Sequence, residues 1–92
     1  MSSDRIRRRL VVRGQVQGVF FRDSTRRRAE THGVAGSAAN RADGAVEVVL
    51  EGAPDAVEAV ADFVRRGPSR ARVESAEEFQ EEPEGLRGFT IL

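Results

Sequence analysis

The hydrophobic repeat of this chain changes several times within 92 residues, and that succession limits the folds open to it. From Arg7 to Arg13 (RRRLVVR), Leu10 and Val12 share one face and arginines mostly occupy the other, the period-two pattern of a half-buried strand. From Arg22 the repeat lengthens. Phe21, Thr25, Ala29 and His32 fall at helical spacing, and Gly33 stands where a C-terminal cap belongs, which predicts a helix over residues 22–32. Val34 to Asn40 is weak in strand propensity but leads into Arg41-Ala42-Asp43-Gly44, a hairpin turn ending in Asp-Gly. Ala45 to Glu51 follows as a clear strand, with Val46, Val48 and Leu50 on one face. Pro54 opens a second predicted helix, whose stripe of Val57, Val60, Phe63 and Val64 ends near Arg66 at Gly67-Pro68. Further strands are predicted from Ala71 to Phe79 and from Phe89 to Leu92.

This order, β-α-β-β-α-β with a short terminal strand, is the split β-α-β arrangement of ferredoxin-like folds. The expected class is α+β: an antiparallel sheet with two helices on one face, forming a single domain over residues 1–92. In that topology the first and second strands run parallel with the third between them. The loop after the first strand and the end of the second therefore meet at one sheet edge, ~10 Å apart across two strand spacings. That leaves room for a small phosphorylated ligand.

Composition narrows the function. The chain is 39% hydrophobic and 33% charged, with no apolar run near the ~18 residues of a membrane span, so no membrane partner is expected. No signal-like stretch follows Met1, so the cytoplasm is the expected location, and Ser2 and Ser3 are expected to fray. There is no cysteine, hence no disulfide or thiolate chemistry, and a lone His32 cannot build a structural zinc site. Charge balances overall but is segregated: residues 5 to 28 carry nine arginines against Asp23, and residues 74 to 84 carry six glutamates and no base. The runs 7–9 and 26–28 read as solvated faces, with Arg7 and Arg9 expected opposite Glu74 or Glu78, each pair contributing ~0.2–1 kcal/mol. RNA-recognition domains share the topology but stack bases on sheet aromatics, and this chain has no Tyr or Trp and no Phe in Arg7–Arg13. No nucleic-acid partner is expected.

One stretch leaves a predicted strand and enters a predicted helix: Gly14-Gln15-Val16-Gln17-Gly18-Val19-Phe20-Phe21-Arg22. Amides at a helix N-terminus lack intrahelical partners, the helix dipole favours negative charge there, and glycines let successive N–H groups converge. Arg22 adds a planar fork able to hold two phosphate oxygens. As spacing alone, the stretch suits an anion cradle and an ordinary turn equally. It is not a P-loop, which needs four residues between its glycines and a following lysine, nor a dinucleotide fingerprint, which needs a third glycine. Phe20 and Phe21 read as core residues, Ser24 and Thr25 as polar residues of the helix start, and His32 as a partner of the helix's last carbonyls.

GQVQGVFFR closely resembles the signature loop of the acylphosphatase family, enzymes that hydrolyse the carboxyl–phosphate anhydride of acyl phosphates. The resemblance continues through residues 33–36 (GVAG), Asn40-Arg41-Ala42-Asp43-Gly44-Ala45-Val46-Glu47, residues 67–73 (GPSRARV) and Phe89-Thr90-Ile91, covering nearly the whole chain in family order. It implies that the backbone amides of Gln15, Val16, Gln17, Gly18, Val19 and Phe20 cradle the phosphoryl group. It assigns the catalytic arginine to Arg22 and the water-orienting asparagine to Asn40, with no metal or other cofactor. The implied partner is a small acyl phosphate, and a monomer is expected. Many members carry an aromatic residue where this chain has Ser37 and a basic one where it has Gln15, but neither departure removes a group assigned to the reaction. The rival reading is a ferredoxin-like module that binds phosphate or another anion without catalysis.

Overall fold

The computed structural model describes residues 4–92, so Ser2 and Ser3 lie outside the described residues. The elements follow the expected order: β1 (Ile6–Gln15), α1 (Phe21–Thr31), β2 (Ala35–Asn40), β3 (Val46–Gly52), α2 (Pro54–Arg66), β4 (Arg72–Glu81) and β5 (Phe89–Ile91). The sheet runs β4-β1-β3-β2-β5. β1 is antiparallel to β3 and β4, and β3 is antiparallel to β2, which leaves β1 and β2 parallel with β3 between them. The last strand departs from an all-antiparallel sheet. β5 lies parallel to β2, with Gly36 opposite Phe89 and Ala38 opposite Ile91. After β4 the chain crosses the end of the sheet to its other edge and can only run back from there, in the direction of β2.

Strand parity sorts the side chains into two layers. On the helix side, Leu10, Val12, Ala38, Val46, Val48 and Leu50 are buried with Phe21 and Ala29 of α1 and Val57, Val60, Ala61 and Val64 of α2. Each fully buried Val or Leu contributes about 1.5–3 kcal/mol, so this layer drives the fold. Thr25 belongs to it too. Because α1 begins at Phe21, Thr25 falls one turn inside the helix on the inward stripe, fully buried and with its hydroxyl unpartnered, rather than at the helix start as expected. His32 stands at the end of α1, where its main-chain amide donates to the Arg28 and Ala29 carbonyls.

The same parity corrects the expected partners of Arg7 and Arg9. Glu78 lies opposite Leu10 and so shares the helix side, where it meets Arg65 of α2 at 2.9 Å. Arg7 lies opposite Glu81 and Arg9 opposite Phe79. On the open side, Arg7 and Arg9 both reach Glu81, at 2.9 and 2.7 Å, and the Arg9 guanidinium stacks 4.4 Å from the Phe79 ring centre.

Glu51 sits among these groups with 0% exposure, at the end of β3 far from Asn40. Its carboxylate accepts from Arg7 at 2.8 Å and from the amides of Glu84, Gly85 and Leu86 at 2.8, 3.1 and 3.0 Å. Burial pushes its pKa up, but these donors outweigh burial and hold it at about 2, against 4.5 for a free side chain. The folded state therefore binds the Glu51 proton less readily than the unfolded state. The resulting stabilisation, on the order of 3 kcal/mol, is complete above the unfolded pKa and is lost as pH falls through the folded one. Urea unfolding of wild type and Glu51→Gln at about pH 6 and about pH 2.5 checks this. The wild type should lose about 2–3 kcal/mol more than the variant between the two. Equal losses would place its acid sensitivity elsewhere.

Candidate active site

The candidate site begins where β1 breaks its register. A bulge falls between Arg13 and Gly14, and a Cβ at Gly14 would lie 2.2 Å from the Arg72 carbonyl oxygen, so only glycine lets β4 approach this closely. The chain then curls, with Gly18 at φ 74° and Phe20 at φ 61°, and enters α1. Phe20 is the N-cap, and no side chain caps the helix, so its first-turn amides have no side-chain acceptor.

The second part is the β2–β3 hairpin. Asn40 ends β2, solvent-exposed and opposite Val46. In the turn that follows, Arg41 N–H donates to Ala45 O at 2.8 Å, and Asp43 accepts from the Ala45 amide at 3.1 Å, in the turn-forming role expected of it. That amide, followed by Arg13, holds the Asp43 carboxyl below its usual range. Gln17 joins the two parts. Its side-chain amide donates to the carbonyls of Arg41 at 2.8 Å and Ala45 at 2.9 Å, fastening the curled loop to the hairpin that carries Asn40.

Between them lies a cleft of about 260 Å³ lined by Val16, Gly18, Phe20, Phe21, Arg22, Asp23, Asn40 and Ile91. Of the residues expected at the site, Val16, Gly18, Phe20, Arg22 and Asn40 come together there. Gln15 instead ends β1 opposite Arg72, Gln17 faces the hairpin, and Val19 packs on the core. Phe20 was expected in the core, yet its side chain is 68% exposed, because the left-handed turn swings it away from the layer that holds Phe21. Ile91 was not anticipated. It reaches the cleft only through the parallel docking of β5, for which no local sequence signal exists. Asp23, singled out in the sequence as the lone acid of a basic run, was not expected at the site and lines the cleft.

Arg22 is half-buried and donates to the Leu92 main-chain oxygen at 2.9 Å. It forms no ion pair with a carboxylate side chain among the described residues. The adjacent acid is engaged elsewhere, since Asp23 is held by Arg26 at 2.6 Å and Arg27 at 3.1 Å. The cleft thus contains a guanidinium paired with no side-chain carboxylate among the described residues, an uncapped helix start and an exposed amide side chain, a combination suited to a small anion. Among the described residues, no three His, Cys, Asp or Glu side chains converge to hold a metal ion, and no helix is long and apolar enough to cross a membrane.

A ferredoxin-like α+β sandwich with a cationic cleft where β1 gives way to α1 defines the class of domain. Comparison with known proteins narrows it. The sequence model of the acylphosphatase family matches residues 8–91. An acylphosphatase of Rubrobacter xylanophilus is 52% identical over 85 residues, covering 90% of this chain and 76% of that protein. One from Thermococcus kodakarensis is 48% identical over 88 residues, covering 96% and 97%. The crystal structure of the Bacillus subtilis acylphosphatase superposes with a TM-score of 0.90 at 32% identity, over 95% of this chain and 98% of that one. The chain belongs to the acylphosphatase family and is an enzyme of that kind.

The Gln17 contacts yield a stability prediction. Gln17→Ala removes both hydrogen bonds and should lower unfolding free energy by about 1–2 kcal/mol, as read by urea denaturation. Amide exchange should rise first in the Arg41–Ala45 turn. An unchanged midpoint would mean the loop and hairpin hold together without that contact.

Proposed function

We propose that the cleft hydrolyses the carboxyl–phosphate anhydride of small acyl phosphates, releasing a carboxylate and inorganic phosphate without a metal. The observation that carries this reading is the meeting of Arg22, which pairs with no side-chain carboxylate among the described residues, with Asn40 across one small cleft. The phosphoryl group is received by the backbone amides of residues 15–20, and Arg22 exchanges the Leu92 main-chain oxygen for two phosphate oxygens. Asn40, exposed at the end of β2, orients a water in line with the scissile bond. The water oxygen attacks phosphorus, the bond to the acyl oxygen breaks with its electron pair on the carboxylate, and a phosphate oxygen takes the water's proton.

The sparseness of the site fits this chemistry. The leaving group is the conjugate base of an acid of pKa ~4, so it departs without a general acid. What remains is positioning and charge stabilisation in a loose transition state, the tasks of amides, an arginine and an amide side chain. The same reading makes the protein a cytoplasmic monomer whose partner is the small substrate alone.

Hydrolysis of benzoyl phosphate in the presence of chelator tests the proposal. Arg22→Ala should lower turnover by at least the ~10²–10³-fold expected for losing one oxyanion-type donor. Asn40→Ala should lower kcat more than it raises KM, because an oriented water matters chiefly in the transition state. Near-normal turnover in either variant would remove that residue from the mechanism. Phosphate binding without turnover in the folded wild type would leave only an anion-binding module.

A further inference from the structure

Phe20 combines three properties that neither the core nor the helix accounts for. Its side chain is 68% exposed, whereas the adjacent Phe21 is 2% exposed and packed in the core. Its backbone is left-handed, at φ 61° and ψ 26°, a conformation that is costly for a bulky side chain and free for glycine. Among the described residues, every other positive φ belongs to glycine, including Gly18 in the same loop. A curled cradle therefore explains the conformation of position 20 but not the aromatic ring placed on it. Strain of this kind persists where a site uses it. The third property supplies the use, because Phe20 lines the cleft that contains Arg22 and Asn40.

We propose that Phe20 is the contact for the substrate's acyl group, and that its ring makes the enzyme favour acyl phosphates with an aromatic or bulky apolar acyl group over acetyl phosphate. This rests on the acyl phosphate hydrolysis proposed above. With the phosphoryl group at Arg22, the acyl group extends along the apolar part of the cleft wall, away from Asp23 and Asn40: Phe20 and the half-buried Ile91, with the buried Val16 and Phe21 beneath. The cleft, at about 260 Å³, suits a substrate smaller than a drug-sized ligand. An aromatic acyl group gains an offset or edge-on contact with a ring otherwise exposed to water, and acetyl, with a single methyl, gains little of it.

The test compares kcat/KM for benzoyl phosphate and acetyl phosphate in wild type, Phe20→Gly and Phe20→Leu. Glycine suits the left-handed backbone, leucine keeps an apolar surface, and the ratio between substrates cancels any loss common to both through the cradle. The benzoyl-to-acetyl ratio should fall about 5- to 10-fold in Phe20→Gly, chiefly through KM, and less in Phe20→Leu. A ratio within about twofold of wild type overturns the proposal while leaving the hydrolase reading intact. A folded wild type that hydrolyses neither substrate overturns both. Should Phe20→Gly fail to fold, Phe20→Asn, which also tolerates the left-handed region, takes its place under the same criteria.

Discussion

Glu51 is a carboxylate without access to water, and the edge of the sheet that completes the cleft depends on how its charge is met. An uncompensated charge there would cost several kcal/mol, so the chain must bring donors to it. Arg7 supplies one from β1 and Arg5 a longer one just before it, and the amides of Glu84, Gly85 and Leu86 supply three from the segment after β4. That segment is thereby fixed across the end of the sheet, and β5 is delivered to the free edge of β2. Ile91 then reaches the cleft, and the Leu92 main-chain oxygen reaches Arg22. A buried ion at one end of the sheet thus helps define the wall of a site at the other.

The segregated charge has a related consequence. Ion pairs at half-exposed positions contribute little stability each, so the networks around Glu58, Glu78 and Glu81 matter less as stabilisers than as assignments of partners. Parity on β1 divides them. Arg8 turns to Glu58 on the helix side, while Arg7 and Arg9 turn to Glu81 on the open side. Asp23 is taken by Arg26 and Arg27. Arg22 is left with the Leu92 main-chain oxygen, and an anion entering the cleft meets a guanidinium that no side-chain carboxylate among the described residues holds.

Much of this was legible in the sequence because it depends on local periodicity. Leu10 and Val12, Val46, Val48 and Leu50, and the Val57, Val60, Phe63 and Val64 stripe announce their faces by spacing alone, since a strand alternates every two residues and a helix every 3.6. Asp43 and Gly44 announce the hairpin by turn chemistry. The loop from Gly14 to Arg22 stood out because its glycines and arginine sit at a change of period, and the family resemblance gave Arg22 and Asn40 their proposed roles.

What escaped the sequence depends on register and direction. Whether Arg7 meets Glu78 or Glu81 is a matter of a few residues' slide between β1 and β4, and both pairings look alike in a string of arginines and glutamates. Thr25 was read as a polar residue of the helix start although its spacing from Phe21 and Ala29 puts it on the inward stripe, and Phe20 was misplaced because a left-handed backbone turns it outward. Ile91 joins the cleft through a parallel pairing between strands far apart in the chain. The sequence by itself determined the order of elements, the buried stripes and the glycine-bracketed loop between β1 and α1, because those follow from interactions between near neighbours. Only the tertiary structure decided which charges neutralise one another and which side chains wall the cleft, because long-range pairing sets those distances.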